Sequence, residues 1–295
     1  MSGAVVVGVD GSPAGMTAAW WAAREGLDRR LPVLVLHSWT TQPLNVPIAQ
    51  EALSKQRYGE DVLRRAEAEL LHRYGDLVLT TELVAAPASQ ALLEHGEDAA
   101  LLVLGSRGHG SAASFLLGSI SLHVLGLSRC PAVTVRAGDP SVENGWGHTA
   151  AGPDAVVAGV EPGPAADAVL EFAFTEAHAR GAGLRVVHAL PPSALIPHPH
   201  PAPTGHGPAA RREAEEHARL AAALAPWQEK FPGVPVTAEV TAGAAAHVLL
   251  SAATHGRLTV VGRRRHPSHL TWKLGPVAHT VLHHAPCPVA VVPHD

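Results

Sequence analysis

The chain of 295 residues carries one pattern twice. Four segments of the first half return in the same order in the second half, the first two at a separation of 151 residues and the last two at 157. Order kept over half the length predicts a duplicated domain with a six-residue net insertion in the second copy. The matching segments are 4–10 with 155–161, 34–37 with 185–188, 102–105 with 259–262, and 130–135 with 287–292.

The repeat sets the expected domain boundaries. We predict a first domain over residues 1–138, a linker over 139–152 and a second domain over 153–295. The segment between the copies is rich in Gly, Ser, Asn and Pro, which is the composition of a connecting segment.

Short apolar runs alternate with longer helical patterns within each half. Strands apolar on both faces are typical of a parallel sheet covered by helices on both sides. We therefore predict an α/β fold of two tandem, doubly wound, Rossmann-like domains, each with a five-stranded parallel sheet flanked by helices. In the first half we expect strands near 4–9, 33–38, 77–84, 101–104 and 132–135, and helices near 12–28, 52–74, 88–95 and 119–127.

Composition narrows the class of protein. With 46% hydrophobic and 16% charged residues, each half can bury a full core. The net charge of −4 argues against a general nucleic-acid-binding protein. Apolar runs are far shorter than the ~20 residues of a membrane span, and Asp10 interrupts the only candidate for a leader, so we expect a cytoplasmic, non-membrane protein. Cys130 and Cys287 precede matching apolar runs, which favours two buried, reduced thiols.

A glycine-rich loop follows the fourth predicted strand. Gly105 and Gly108 come directly after an apolar run, and Gly118 and Ser119 then open the next predicted helix. Glycines allow backbone to approach an anion closely, and the first N–H groups of a helix carry positive partial charge. This arrangement predicts a phosphate-binding loop.

Two other loops should meet this one. Asp10 follows the first predicted strand, and His37 and Ser38 end the second. Ligands of doubly wound sheets bind outside the carboxyl ends of the strands, at the point where strand order reverses. Three loops should therefore line one ligand site.

The spacing Gly105-x2-Gly108-x9-Gly118-Ser119 resembles the nucleotide-binding motif of the universal stress protein family. Residues 7–12 look like the opening strand of that family, and 130–135 look like its final strand, so the resemblance covers both halves. It implies an adenine nucleotide hydrolase-like fold, a stress-response role, and ATP, with or without Mg²⁺, as the ligand of the first domain. The scarcity of lysine beside abundant arginine and alanine suggests a bacterial source. The resemblance further implies contacts from these residues: Gly8, Asp10 and Ser38 to base and ribose, Leu104 and Gly105 along the nucleotide, and Gly108, Gly118, Ser119 and Ile120 to the phosphates. Taken alone, Asp10 is better explained as a turn carboxylate before a helix, and the glycine loop shifts the interpretation to ligand contact.

The second copy of the motif is altered. Gly262 and Gly275 remain, but Arg265 replaces the second glycine and Pro276 replaces the serine. Proline suits the first turn of a helix yet lacks an N–H, so the fold can persist while a phosphate donor is lost. We expect one competent ATP site per chain, in the first half. Residues 263–265, three arginines, either restore anion affinity or form a solvated loop or fill the empty pocket.

The sequence favours binding over catalysis. No Gly-x4-Gly-Lys-Ser/Thr loop, His-Glu-x-x-His pair or Gly-x-Ser-x-Gly elbow is present. A slow ATPase or nucleotidyl transferase, with Asp10 as its one contributing carboxylate, is the alternative, and a nucleotide-free scaffold protein is a third. We assign no metal site, because only the cysteine of the cluster His279, His283, His284 and Cys287 recurs in the first half.

Three further expectations concern packing. His37 and His188 recur at matching strand ends and are predicted to be structural hydrogen-bonding residues. Of the neighbours Trp20 and Trp21, one should be buried and the other half-exposed. The apolar final strands should pair between the halves, between chains, or both, which predicts a homodimer with pseudo-dimeric packing of the two domains.

Overall fold

The computed structural model describes residues 3–40, 48–106, 117–143, 156–191, 208–265 and 274–295. The chain divides into two compact units. Unit 1 comprises the described residues up to Glu143, and unit 2 those from Val156 onward. The predicted linker 139–152 includes the short helix Pro140–Glu143, and its residues 144–152 lie outside the described residues; the exact domain boundaries stay a prediction.

Unit 1 alternates strands and helices along the chain. Its strands are β1 (Val5–Gly8), β2 (Val33–Ser38), β3 (Leu79–Val84), β4 (Leu101–Ser106) and β5 (Ala132–Arg136). Its helices are α1 (Pro13–Arg29), α2 (Ile48–Arg73), α3 (Ala88–His95), α4 (Ser119–Leu127) and α5 (Pro140–Glu143).

The strands of unit 1 pair in parallel in the order β3-β2-β1-β4-β5. Strand order reverses between β1 and β4, whose paired residues run from Val5 opposite Leu101 to Gly8 opposite Leu104. A crevice at the carboxyl ends of these two strands is the expected ligand position in a doubly wound sheet.

Unit 2 repeats the arrangement. Its strands pair in parallel in the order β8-β7-β6-β9-β10. The predicted fold class, two tandem doubly wound α/β domains, is confirmed. The elements are β6 (Val156–Gly159), α6 (Ala166–Ala179), β7 (Leu184–Leu190), α7 (Pro208–Lys230), β8 (Val236–Ala242), α8 (Ala245–Ala253), β9 (Leu258–Arg264), α9 (Pro276–His284) and β10 (Val289–His294).

Valine, leucine and alanine fill the cores, as the scarcity of aromatic residues requires. Trp21 is 1% exposed, whereas Trp20 is half-buried with the Arg73 guanidinium 5.0 Å from its ring centre, so the expectation for this pair is confirmed. Strand β3 lies at one end of the pairing order of unit 1 and is only half-buried. Its three consecutive polar residues, Thr80, Thr81 and Glu82, therefore depart from the two-faced apolar pattern expected of every strand.

Each unit also buries an ion pair in its first helix. In α1 the carboxylate of Glu25 is fully buried, 3.3 Å from Arg29. In α6 the corresponding carboxylate of Glu176 is bonded to Arg180 and is equally buried. Both cysteines are buried and free of a disulfide, as expected. None of the described helices combines the length and the apolar character needed to cross a membrane.

Candidate functional site

A cavity of about 140 Å³ opens at the carboxyl edge of the unit 1 sheet, where β1 and β4 separate. Every described residue of the predicted nucleotide site lines this cavity. They are Gly8, Asp10, Ser38, Leu104, Gly105, Gly118, Ser119 and Ile120. The ninth predicted residue, Gly108, lies outside the described residues.

Asp10 lies in the turn between β1 and α1. Its Oδ1 accepts hydrogen bonds from the backbone N–H of Ser12 at 3.0 Å and from the Ser12 hydroxyl at 2.5 Å. The Ser12 oxygen in turn caps α1 by accepting from the N–H of Gly15 at 3.1 Å. The carboxylate thus has the turn role that the residues alone suggest. It is also exposed at the cavity, and among the described residues its Oδ2 accepts no hydrogen bond.

Gly105 holds β4 against the first turn of α1. A Cβ atom on residue 105 would lie 2.7 Å from the carbonyl oxygen of Ala14 and 2.9 Å from the backbone nitrogen of Gly15. Real side chains do not make backbone contacts this short, so only glycine fits. This motif glycine therefore has a packing reason besides any approach to phosphate.

The N-terminus of α4 forms the opposite side of the cavity. Gly118 is the N-cap, with extended backbone at φ −65° and ψ 151°. No side chain caps this end of the helix by a hydrogen bond. The first N–H groups of an α-helix have no acceptor within the helix and carry positive partial charge. Ser121 donates its hydroxyl to the carbonyl of Gly105 at 3.3 Å, which ties α4 to the end of β4. The helix terminus is consequently held beside the strand ends.

The polar side chains that end β2 are occupied by structural hydrogen bonds. His37 donates from Nδ1 to the carbonyl of Val9 at 2.7 Å, and Ser38 donates to the carbonyl of Ala86 at 2.6 Å. In unit 2, His188 donates from Nδ1 to the carbonyl of Val160 at 3.1 Å. The structural role expected for both histidines is thus seen in the geometry.

Unit 2 has a cavity of about 520 Å³ at the matching edge of its sheet. Six counterparts of the predicted unit 1 site line it. They are Gly159, Glu161, Ala189, Val261, Gly262 and Val277. Gly275 and Pro276 are the N-cap and first residue of α9, as the fold requires.

The three arginines of unit 2 diverge rather than forming one loop. Strand β9 continues through Arg264, which lines the cavity. Arg263 is 6% exposed, and burial together with the charge of Arg265 lowers the pKa of its guanidinium. Arg265 donates its backbone N–H to the carbonyl of His294 at 2.6 Å, and its side chain lies 3.7 Å from the Asp295 carboxylate.

The rings of His279 and His283 on α9 lie close together, tilted by 46°. The ring centres of His279 and His283 are 4.5 Å apart. In the part of the chain that the structure describes, no three His, Cys, Asp or Glu residues are grouped closely enough to hold a metal ion.

Comparison with known proteins agrees with the duplicated architecture. The sequence pattern of the universal stress protein family matches residues 1–136 and again residues 153–293. The chain belongs to the universal stress protein family. Two similar relatives are universal stress proteins of Mycobacterium tuberculosis, 32% identical over 295 residues, and of Mycolicibacterium smegmatis, 30% identical over 297 residues. The alignments cover 97% of this chain and 95% of the first relative, and 98% of this chain and 96% of the second.

Solved structures agree with the fold. A universal stress protein from Archaeoglobus fulgidus superimposes over 100% of both chains with a TM-score of 0.75 at 18% sequence identity. The resemblance stated from the sequence is therefore confirmed for family and fold.

The unit 2 cavity of this universal stress protein contains a carboxylate that the sequence analysis did not identify. Glu216 lines the cavity, and its carboxylate oxygens lie 2.9 and 3.0 Å from the Arg219 guanidinium. Its Oε2 is also 3.6 Å from Nε2 of His188. The 157-residue offset that aligns the glycine loops also aligns Glu216 with Gly59. Comparing the two copies at this position could therefore have identified the extra carboxylate of unit 2. Unit 2 of this universal stress protein therefore has the Glu216–Arg219 ion pair at the position where unit 1 has Gly59.

Proposed function

We propose that unit 1 binds an adenine nucleotide, ATP, and that the nucleotide acts as a regulatory ligand in a stress response rather than as fuel. The observation that carries this proposal is the convergence of the predicted residues on one cavity. Residues from three separate loops and the start of α4 line it, at the crevice between β1 and β4. This is the position at which doubly wound sheets bind ligands.

The phosphate end of the proposed site is the N-terminus of α4. Ser119 and Ile120 are its first helical residues, and both are exposed at the cavity. Their N–H groups and the helix dipole favour a polyanion at this place. Ser119 adds a hydroxyl donor, whereas Leu104 contributes an apolar wall on the other side.

The base and ribose would lie toward β1 and β2. Gly8 allows the Leu92 side chain to pack closely against β1 in this part of the crevice, because a Cβ atom on residue 8 would lie 3.1 Å from it. The Oδ2 atom of Asp10 can accept hydrogen bonds from ribose hydroxyls while Oδ1 stays bonded to Ser12. Preference for adenine comes from the resemblance to the family rather than from a base-reading side chain.

The cavity accounts for only part of a nucleotide. Its volume of about 140 Å³ is below the ~300–1,000 Å³ of pockets that enclose a whole drug-sized ligand. The triphosphate would therefore extend beyond it, along the start of α4.

The described residues offer little support for catalysis. Asp10 is the only carboxylate among the described residues that line the cavity. A Mg²⁺ ion usually keeps several waters and takes one or two carboxylates plus substrate phosphates. Asp10 alone fits such an ion poorly, so any Mg²⁺ would be held chiefly by the nucleotide and water.

Self-association is the second part of the proposal. The apolar final strands β5 and β10 gave the expectation of a homodimer, and this stays a prediction. Sedimentation equilibrium of the purified chain tests it directly, because a dimer has twice the mass of the 30.6 kDa chain.

Mass spectrometry of ligand released from freshly purified protein tests the nucleotide proposal, followed by thermal melting with and without ATP. A ligand that binds only the folded state stabilises it by about 2.7 kcal/mol at a hundredfold excess over Kd, which raises the melting temperature. We expect this rise in the wild type and in Ala245→Trp, which narrows the unit 2 cavity, but not in Ala88→Trp, the matching change in unit 1. Absence of both co-purified nucleotide and any ATP-dependent shift would overturn the proposal.

A further inference from the structure

The cavity of unit 2 is large enough to enclose a small molecule. Its volume of about 520 Å³ falls within the ~300–1,000 Å³ typical of ligand pockets. Its walls are mostly apolar, with Val169, Val187 and Leu249 among the residues that form them. Such walls favour an apolar or aromatic ligand body.

The same cavity has lost the backbone contacts that suit a polyphosphate. Proline at position 276 has no N–H to donate, and neither it nor Gly275 lies in the cavity wall. Arg265, at the position of the second motif glycine, is paired with Asp295. A triphosphate would find one fewer donor here than at α4.

Charge is distributed unevenly around the cavity. Glu216 pairs with Arg219, whose positive charge offsets that of the carboxylate, and its Oε2 lies 3.6 Å from Nε2 of His188. Glu161 and Arg264 line the cavity as well, and among the described residues neither forms an ion pair. Arg264 follows a buried arginine whose pKa is lowered, first by burial and then by Arg265. The exposed side chain of Arg264 lines the cavity at the last position of β9, where its guanidinium can bind an anion.

We propose that the unit 2 cavity is a second ligand site, for a small molecule with an apolar or aromatic body and a single anionic group that Arg264 contacts. The apolar body lies against Val169 and Leu249, and the anionic group lies at the end of β9. Guanidinium groups bind carboxylates, sulfonates and phosphate monoesters through charge-assisted hydrogen bonds. This site differs from the one proposed for unit 1. In unit 1 backbone N–H groups at the start of α4 would bind several phosphates, whereas in unit 2 the cavity would enclose the ligand body and the Arg264 side chain would bind a single anionic group. The inference does not depend on nucleotide binding in unit 1.

A pair of fluorescent probes tests the proposal on the full chain. Anilinonaphthalene sulfonate has an aromatic body and one sulfonate, whereas phenylnaphthylamine has the same rings without the charge. We expect saturable binding of the sulfonate with one site per chain. Arg264→Gln should weaken sulfonate binding by about 10- to 100-fold, the range for losing a hydrogen bond to a charged group, and leave the affinity for phenylnaphthylamine unchanged.

Matched variants locate the probe. Ala245 and Ala88 occupy corresponding positions at the start of α8 and α3, and each lines the cavity of its own unit. Ala245→Trp should abolish binding of both probes, and Ala88→Trp should leave both affinities unchanged. Circular dichroism and the melting temperature of each variant establish that it is folded before titration.

Four results would overturn the proposal. The first three are sulfonate binding unaffected by Arg264→Gln, probe binding that survives in folded Ala245→Trp, and probe binding lost in Ala88→Trp. Equal weakening of both probes by Arg264→Gln would also contradict it, because the arginine would then support the cavity wall rather than contact the anion.

Discussion

The backbone of Ala14 approaches Gly105 so closely that a Cβ atom on residue 105 would lie 2.7 Å from the Ala14 carbonyl oxygen. The first glycine of the phosphate-loop motif is therefore also the contact between β4 and the N-terminus of α1. Because α1 carries the Ser12 cap and the Asp10 turn, this contact couples two sides of the candidate site.

Gly105→Ala should destabilise unit 1 by about 1–3 kcal/mol, because the added methyl forces β4 and α1 apart in a packed region. Urea unfolding monitored by circular dichroism measures the change. Gly75→Ala is the matched control, since a Cβ atom there would meet nothing within 4 Å. If both variants unfold at the same urea concentration, the close approach does not constrain residue 105.

Ser119→Pro should weaken ATP binding by at least about tenfold while leaving the fold intact. The substitution removes one N–H and one hydroxyl from the first turn of α4, and each hydrogen bond to a charged group is worth about 1.5–3 kcal/mol. Proline is well tolerated at this helix position, and Pro276 occupies the same place in α9. Ser119→Ala, which keeps the N–H, should lose less affinity in the same calorimetric titration. Unchanged ATP affinity in the proline variant would mean that the start of α4 does not contact the phosphates.

Arg29→Leu should destabilise the protein by about 3–5 kcal/mol. The change removes the guanidinium that lies 3.3 Å from the fully buried carboxylate of Glu25, and breaking a buried ion pair by removing one partner is costly. Arg64→Leu is the control, because its pair with Asp61 is exposed, at 72% and 58% for the two side chains. Exposed pairs contribute at most about 1 kcal/mol. Equal free energies of unfolding for the two variants would contradict the assigned difference.

Cys130 should make the stability fall at alkaline pH. Burial raises the pKa of its thiol above the ordinary value of 9.0. The unfolded chain therefore releases this proton first, so the contribution of Cys130 is complete below the unfolded pKa and is lost as pH rises toward the folded pKa. Between about pH 8 and pH 10, the free energy of unfolding should decline less steeply for Cys130→Ala than for the wild type. Parallel pH profiles would rule out this linkage.

Local pattern predicted the elements of unit 1 well. The bounds of α3 and α4 agree with the structure at both ends, because glycine and proline mark the chain near them. Helix α2 begins at Ile48 rather than near residue 52, since helix ends are less well determined by pattern than the presence of the helix itself. The candidate site could be predicted because strand ends in a parallel sheet share one edge, so sequence order suffices to bring Asp10 and Gly105 together.

Features that depend on side-chain packing could not be predicted from the sequence pattern. Glu25 and Arg29 look like an ordinary surface pair at i,i+4 spacing, and only the packing of α1 on the sheet buries them. The contact between Gly105 and Ala14 joins residues 91 positions apart, so the local sequence does not predict it. Glu216 lies in the cavity wall because α7 places its carboxylate next to His188 at the end of β7.

Calorimetric titration of ATP into the full chain, its Ala88→Trp variant and its Ala245→Trp variant tests the central claim most directly. One ATP per chain, bound by the wild type and by Ala245→Trp but not by folded Ala88→Trp, is the predicted result. Two equivalent ATP sites per chain, or ATP binding that persists in Ala88→Trp, would contradict the assignment of the nucleotide to unit 1.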